Sequence, residues 1–121
     1  MAVTHGAATR NNIADAVLAD IDAGTAGDLI FRTSGDAEVA TLQLSTVSGV
    51  VSGAVNTFAA ISDDTSATGG IVAKFTVESS ASAEVLLGAV ATSGSDINMS
   101  SLTVGAGDTV SCSSLTYTAP V

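Results

Sequence analysis

Side chains that could act as nucleophile and base are scarce in this sequence, and they do not form a catalytic pattern. The single histidine, His5, precedes the only helical segment, and the single cysteine, Cys112, lies in an alternating segment near the end of the chain. A nucleophile needs a base within hydrogen-bond reach, and no Gly-x-Ser-x-Gly elbow occurs. We therefore expect no enzyme, an exposed or interface role for His5, and a small buried apolar role for Cys112.

Oxygen-rich clusters are the remaining candidates for metal binding. Asp63 and Asp64 are followed by two hydroxyl residues, and Asp96 alternates with Asn98 and Ser100. Neither cluster has the spacing of a calcium loop, and one histidine with one cysteine excludes a structural zinc site. Both clusters are explained more simply as loop caps and a solvated strand edge, so we predict no metal and no cofactor.

Two glycine-rich segments, residues 66–70 and 105–108, raise the question of a phosphate-binding loop. Such a loop needs a helix N-terminus behind it. Each of these segments leads into a predicted strand, so we interpret both as turns.

The composition predicts one small folded domain, residues 1–121, with a thin core. Ala, Ser, Thr and Gly account for 64 residues, and aromatic residues make up 3%. Leu, Ile, Val and Phe account for 31 residues, about a quarter of the chain. That share exceeds the level typical of disordered chains.

The charge pattern excludes some partners and favours others. Twelve acids stand against Arg10, Arg32 and Lys74, for a net charge of -9, which excludes nucleic-acid binding through a basic face. Charged residues make up 12%, against roughly 25% in ordinary domains. A surface of small, weakly hydrated side chains loses little when neighbours cover it, so we expect contacts with other subunits.

No segment reaches the roughly 20 apolar residues of a membrane span, and the first ten residues lack the apolar run of a secretory signal. We therefore expect no membrane association and synthesis in a cytoplasm.

One helix is predicted, over residues 4–22, within an N-terminal helical arm of residues 4–23. Ile13, Val17 and Ile21 form an apolar stripe, with Thr4 as the expected N-cap and Gly24 at the end. Because the stripe is narrow, the helix must pack on the sheet or on another subunit.

From residue 27 onward the apolar period is two, which indicates strands. In the strand 71–78 we expect Ile71, Phe75 and Val77 to face inward, and in its hairpin partner 84–90 we expect Leu87 to do so. Residues 34–36 are predicted to form a turn. The pattern of residues 47–60 is compatible with three interpretations: an edge strand, a lid or a contact with a neighbour. The expected strands are 28–33, 38–44, 71–78, 84–90, and a second hairpin of 96–104 with 108–118.

The predicted fold is mainly β. It is an antiparallel β-sandwich, jelly-roll or Ig-like, of about seven strands over residues 27–121, preceded by one N-terminal α-helix. The predicted interface residues are His5, Ile13, Val17, Ile21, Val50, Val51 and Phe58.

Several segments together resemble a group of small virion proteins of tailed bacteriophages. They are MAVTH (1–5), GDAEVATL (35–42), SDDTSATGG (62–70) leading into VAKF (72–75), AGDTV (106–110) and SLTYT (114–118). The resemblance implies a capsid decoration or cement protein on the capsid exterior, with the major capsid protein and its own copies, as a homotrimer, for partners.

Two other functions remain open at this point. One is a tail tube, tip or fibre-associated subunit, which copy number per particle would distinguish. The other is a glycan-binding sandwich module that uses the loop 62–70.

Overall fold

The computed structural model describes residues 3–119, and over this range the chain is a mainly β sandwich with one N-terminal helix. Its ten strands exceed the predicted seven because several predicted strands are divided. The elements are α1 (Ala7–Ile21), β1 (Asp28–Arg32), β2 (Glu38–Gln43), β3 (Gly49–Ser52), β4 (Val55–Phe58), β5 (Gly70–Ile71), β6 (Lys74–Glu78), β7 (Glu84–Ala91), β8 (Ile97–Asn98), β9 (Thr103–Val104) and β10 (Thr116–Thr118).

Helix α1 starts three residues later than predicted. Gly6 is its N-cap, and no side chain caps this end, so Thr4 lies outside the helix. At the other end the N–H of Asp22 bonds to the carbonyl of Leu18, and Gly24 follows at φ +89°. A glycine just past the helix end can adopt this left-handed conformation without strain.

The larger sheet has five strands in the order β2-β1-β6-β7-β8. Four of its strands pair antiparallel, and β8 is parallel to β7 over two residues. The predicted turn at residues 34–36 joins β1 to β2, with Asp36 at φ +72°. On one face Leu29, Phe31 and Leu42 are fully buried or nearly so, as their alternation predicts.

The smaller sheet has three strands in the order β10-β4-β3. Residues 47–60, which the sequence leaves open, supply its β3–β4 hairpin. Gly53 and Ala54 form the turn at φ +58° and +66°. A two-residue turn with positive φ at both positions matches the twist of the two strands that it joins.

The single strand predicted over residues 71–78 is wrong. Ile71 belongs to β5 and pairs with β9, whereas β6 begins at Lys74. Between them Val72 donates to Leu102 and Ala73 donates to Arg32, so the chain changes partners. The change shifts the inward phase: Val72 is buried and Ile71 is 64% exposed.

The predicted hairpin of residues 96–104 with 108–118 does not form. Residues 97–98 pair with β7, residues 103–104 with β5, and residues 116–118 with β4. Val110 forms an isolated bridge to Asp64. Each part therefore pairs with a strand from elsewhere in the chain. The alternation of apolar residues slips by one residue between Met99 and Leu102 and between Cys112 and Leu115, and both places lie outside the strands.

The hairpin of β6 and β7 does form, but Leu87 does not face inward. The register shifts between Val77 and Glu78, where Val85 is an extra residue in β7. This bulge moves Leu86 to the inner face and leaves Leu87 61% exposed. One inserted residue reverses the facing of everything beyond it.

The larger sheet, the smaller sheet, a two-stranded sheet of β5 with β9, and α1 enclose one main core. Its largest members include Phe31, Phe58 and Phe75 from the sheets and Ile21 from the helix. A small cluster of Ala14, Ala54 and Ala119 joins the helix to the smaller sheet.

Candidate interaction surfaces

The helical candidates for contact with a neighbour are largely used within this chain. Ile21 is fully buried in the main core, so it has no surface to offer. Val17 packs against that core, and Ile13 packs against the alanine cluster. His5 is exposed ahead of the helix.

Polar contacts fix α1 against the smaller sheet at both ends. Arg10 Nη2 donates to the Ala119 carbonyl at 3.0 Å, and Asn11 Oδ1 accepts from the N–H of Ala54 at 2.9 Å. At the other end Asp22 Oδ1 accepts from the N–H of Ser48 at 2.9 Å. The helix packs on its own sheet, which was one of the two predicted alternatives.

The candidates on the β3–β4 hairpin divide between its two faces. Phe58 is buried in the core and Val51 is half-buried against the alanine cluster. Val50 points the other way and is 69% exposed. Among the predicted interface residues of this hairpin, Val50 alone is available on the surface.

The outer face of the smaller sheet carries no charged side chain. The register aligns Val50, Thr57 and Thr116 in one row and Ser52, Val55 and Thr118 in the next. All six are exposed or half-exposed. We call this surface the uncharged face. The uncharged face was not predicted, although the sequence carries a signal for it: residues 39–62 and 109–121 contain no charged side chain.

The outer face of the larger sheet has the opposite character. Arg32 Nη2 meets Glu78 Oε2 at 2.7 Å, and Arg32 Nε donates to Thr76 Oγ1 at 3.1 Å. Lys74 Nζ contacts Asp36 Oδ1 at 2.5 Å. This contact with Lys74 lowers the pKa of Asp36. Two of the three cations of the chain are thus paired on one side of the sandwich.

The same face holds an acid in an unfavourable environment. Burial raises the pKa of Asp28, and the charge of the neighbouring Glu78 raises it further. Asp28 and Glu78 are register partners on adjacent strands, so their carboxyl groups lie on the same side of the sheet.

The aspartates considered for calcium cap loops instead. Asp64 Oδ1 accepts from the N–H of Ser66 and Oδ2 from the N–H of Thr41, both at 2.9 Å. Asp96 Oδ2 accepts from the N–H of Ala89, and Asn98 Oδ1 from that of Ser95. Over residues 3–119 the structure brings together no group of three His, Cys, Asp or Glu side chains that could hold a metal.

The two glycine-rich segments pack against each other. The N–H of Gly107 bonds to the carbonyl of Ala67 at 2.7 Å, and the N–H of Ala67 bonds to that of Asp108 at 3.1 Å. A Cβ at Gly69 would lie 2.7 Å from the nitrogen of Ala106. The loop proposed for glycan binding is therefore engaged in backbone contacts within the chain.

Two adjoining openings lie along one flank of the sandwich. The first is a cleft of about 590 Å³ lined mainly by residues 96–101 and 108–116, and eight of its 18 lining residues carry a hydroxyl group. The second, about 330 Å³, lies between β7 and β10, and we call it the flank groove. Its apolar lining includes Phe58, Phe75, Val77, Leu86, Leu115 and Tyr117. Asp96, Leu115 and Thr116 border both openings.

Cys112 was predicted to be a small buried apolar residue; it lines the larger cleft and is half-buried. Burial raises the pKa of its thiol, and the Sγ donates to the Ser114 carbonyl at 3.3 Å. A raised pKa leaves little thiolate at neutral pH, so the thiol is a poor nucleophile.

The part of the chain that the structure describes contains no helix long and apolar enough to cross a membrane. Comparison with family models, with curated proteins and with solved structures finds no match to this chain.

Proposed function

We propose that this chain is a non-enzymatic structural protein of a bacteriophage virion that decorates the capsid exterior and cements neighbouring capsomers. Under this proposal its partners are the major capsid protein and further copies of itself, arranged as a homotrimer. It is made in the cytoplasm of the bacterial host and resides in the virion. The observation that carries the proposal is the uncharged face.

The uncharged face has the composition expected of a surface that neighbours cover. The centres of protein interfaces are depleted of charge, and desolvating Val50, Thr57 and Thr116 removes no ionic hydration. β-Branched side chains also lose few rotamers when covered, because their χ1 is already restricted. Covering this face therefore costs little in hydration or in side-chain entropy.

The other side of the sandwich supports an orientation for the molecule. The Arg32–Glu78 and Lys74–Asp36 pairs lie on the outer face of the larger sheet. Charged groups are best left hydrated, since a buried ion pair recovers its desolvation cost only with excellent geometry. We therefore place the uncharged face towards the shell or a sister subunit and the ion-paired face towards solvent.

The uncharged face consists of six side chains, against roughly 20–30 residues on each side of a standard interface. A single copy therefore binds weakly through it. Binding at many equivalent positions, and to sister subunits at each position, raises the occupancy by effective concentration. This arrangement suits a protein that acts in many copies.

The test is binding to purified particles that lack the protein, measured by co-sedimentation and quantitative mass spectrometry. Val50→Glu places a charge in the uncharged face, and Ile71→Glu is the matched control because Ile71 is 64% exposed on a different strand. We expect the native chain and Ile71→Glu to bind in hundreds of copies, and Val50→Glu to lose occupancy by about tenfold or more, roughly 1.4 kcal/mol.

Three results would contradict the proposal. Equal binding of both variants removes the uncharged face from the interface. Absence of native binding removes the capsid role. A handful of copies per particle favours the tail component. Deletion of residues 1–24 is unsuitable as a test, since it removes Ile21 from the core.

A further inference from the structure

The flank groove runs along the edges of two strands, β7 and β10. It is lined by three consecutive residues of each strand, 86–88 and 116–118. Consecutive residues of a strand point to opposite faces, so a cavity that touches all three must reach the strand edge. The groove is therefore a gap between two edges and not a hole within one sheet.

The edge of β7 that faces the groove lacks backbone partners. The N–H of Val90 bonds to Ala73 on the β6 side, whereas that of Ala89 points away from β6 and bonds to Asp96 Oδ2. Because the direction alternates, Leu87 has the same direction as Ala89. Its backbone N–H and C=O point away from β6, and the parallel strand β8 pairs only at residues 90 and 91.

The edge of β10 is free in the same sense. Leu115 accepts from the N–H of Phe58, and Ala119 donates to the carbonyl of Ala54, so odd-numbered residues of this strand face β4. Thr116 and Thr118 consequently direct their backbone groups to the other side, towards the groove. Within residues 3–119 these groups have no hydrogen-bond partner.

The floor of the groove is apolar and its charged border is acidic. Phe58 and Phe75 form part of the floor and are 8% and 7% exposed, while Leu86, Leu115 and Tyr117 are only partly buried. Asp96 is the charged residue among the groove's lining residues. An occupant that complements this groove has apolar side chains on one face and a positive charge at one end.

We propose that the flank groove binds an extended segment of another polypeptide, which adds as a β-strand between β7 and β10. Its backbone pairs with Leu87 on one side and with Thr116 and Thr118 on the other. Alternate apolar side chains fill the floor, and a lysine or arginine meets Asp96. Addition of a strand to a free edge is a general mode of peptide recognition. Here the added strand pairs with two free edges, those of β7 and β10.

This inference does not depend on the proposed virion role, because its test uses the isolated chain. The probe is the peptide acetyl-Lys-Val-Thr-Val-Thr-Val-amide, titrated into the full chain while amide exchange is followed by NMR. We expect saturable binding that slows exchange of the Leu87, Thr116 and Thr118 amides by about tenfold or more. A peptide with glutamate in place of the lysine binds about tenfold more weakly.

Leu87→Pro provides the decisive variant. It removes an N–H that faces the groove and takes no part in pairing with β6, a position where a strand tolerates proline. Leu87→Thr is the matched control, since it keeps the N–H and loses the same side chain. With both variants folded, as judged by circular dichroism, we expect Leu87→Pro to lose peptide binding and Leu87→Thr to retain it. Should Leu87→Pro fail to fold, the exchange pattern of the native chain decides alone.

Other outcomes overturn the proposal. Unchanged amide exchange at saturating peptide, or equal binding by the folded proline and threonine variants, shows that strand addition does not occur. Binding of the apolar dye anilinonaphthalene sulfonate in the groove without peptide binding indicates a small-molecule pocket. Protection of the same amides by self-association, without peptide, indicates a second copy as the occupant.

Discussion

Replacing Gly88 with alanine should destabilise the fold through one main contact, the ring of Phe75. A Cβ built at residue 88 meets Phe75 Cε1 at less than any real contact distance, and it lies 2.7 Å from Phe75 Cζ and 3.0 Å from Asp96 Oδ2. Carbon atoms in proteins pack at roughly 3.5–4.0 Å. The ring must therefore move, and overpacking of this kind costs about 1–3 kcal/mol.

Substitution of Phe75 itself sets the scale of the expected change in the free energy of unfolding. Phe75 is 7% exposed, and Phe→Ala in a core costs about 3–5 kcal/mol. Since its ring borders the flank groove of about 330 Å³, we expect a value near the lower limit, about 3 kcal/mol. In a Phe75→Ala background the clash with the ring is gone, so Gly88→Ala should then cost less than about 0.5 kcal/mol.

The assay is a double-mutant cycle by urea unfolding, followed by circular dichroism, with the free energy of unfolding compared among the four proteins. We expect the double variant to be more stable than additivity predicts, by about 1–2 kcal/mol. Gly35→Ala is the control because the nearest atom to its Cβ, Thr33 Oγ1, is 3.9 Å away; it should change stability by less than about 0.5 kcal/mol. Additive costs at Gly88 and Phe75 would show that the ring does not lie against Gly88.

Three further predictions concern polar side chains. Asn56 is fully buried and its amide has no partner among the described residues, so Asn56→Leu should stabilise the fold by about 1–3 kcal/mol in urea unfolding; a loss of stability would indicate a bound water or an unseen bond. Burial and Glu78 raise the pKa of Asp28 above its ordinary value of 3.8, so folding favours the protonated form of Asp28. The resulting contribution to the free energy of unfolding is fully present below pH 3.8 and is lost as the pH rises through the raised pKa. Asp28→Asn should therefore gain stability over the native chain at neutral pH and lose this advantage towards pH 3, and a difference independent of pH would refute the assignment. Arg32→Met should cost about 1–3 kcal/mol because it breaks a partly buried, charge-assisted bond. Lys74→Met should cost less, because its partner Asp36 is 72% exposed and solvent screens the pair; equal costs in thermal unfolding would contradict this ranking.

Features that depend on neighbouring residues could be predicted from the sequence. The alternation around Leu29 and Phe31 places both in the core, and the turn at residues 34–36 follows from its Ser-Gly-Asp composition. The hairpin of β6 and β7 was also predicted, because its strands are close in the chain. In each of these cases the residues that interact are close together in the chain, so the local pattern and the final strand pairing agree.

Features that depend on distant pairing could not be predicted. Val104 pairs with Gly70, and Val110 bridges Asp64. These residues therefore pair with partners 34 and 46 residues away in the chain, and not with each other as in the predicted hairpin of 96–104 with 108–118. The bulge at Val85 left no clear mark in the sequence, yet it reversed the facing of Leu87. Pairing between remote segments is a property of the whole fold, and a short alternating pattern does not encode it.

The predicted contact residues differ in exposure. The covered exterior inferred from low charge stays a prediction, and Val50 lies exposed on the uncharged face. Ile21 and Phe58 were predicted as contacts because they are apolar, but the chain needs them for its own core. The flank groove could not be foreseen, since it is a gap between two strands that do not pair, and the apolar slip near Leu115 was its only trace.

The outer edge of β2 is partly covered by its own chain. Gln43 accepts from Ser62, Val39 accepts from Gly69, and the N–H of Thr41 donates to Asp64. Cover of this kind makes an edge a poorer template for another molecule. A second copy that added a strand at β2 would first have to displace these three contacts, so fibril growth through this edge is disfavoured.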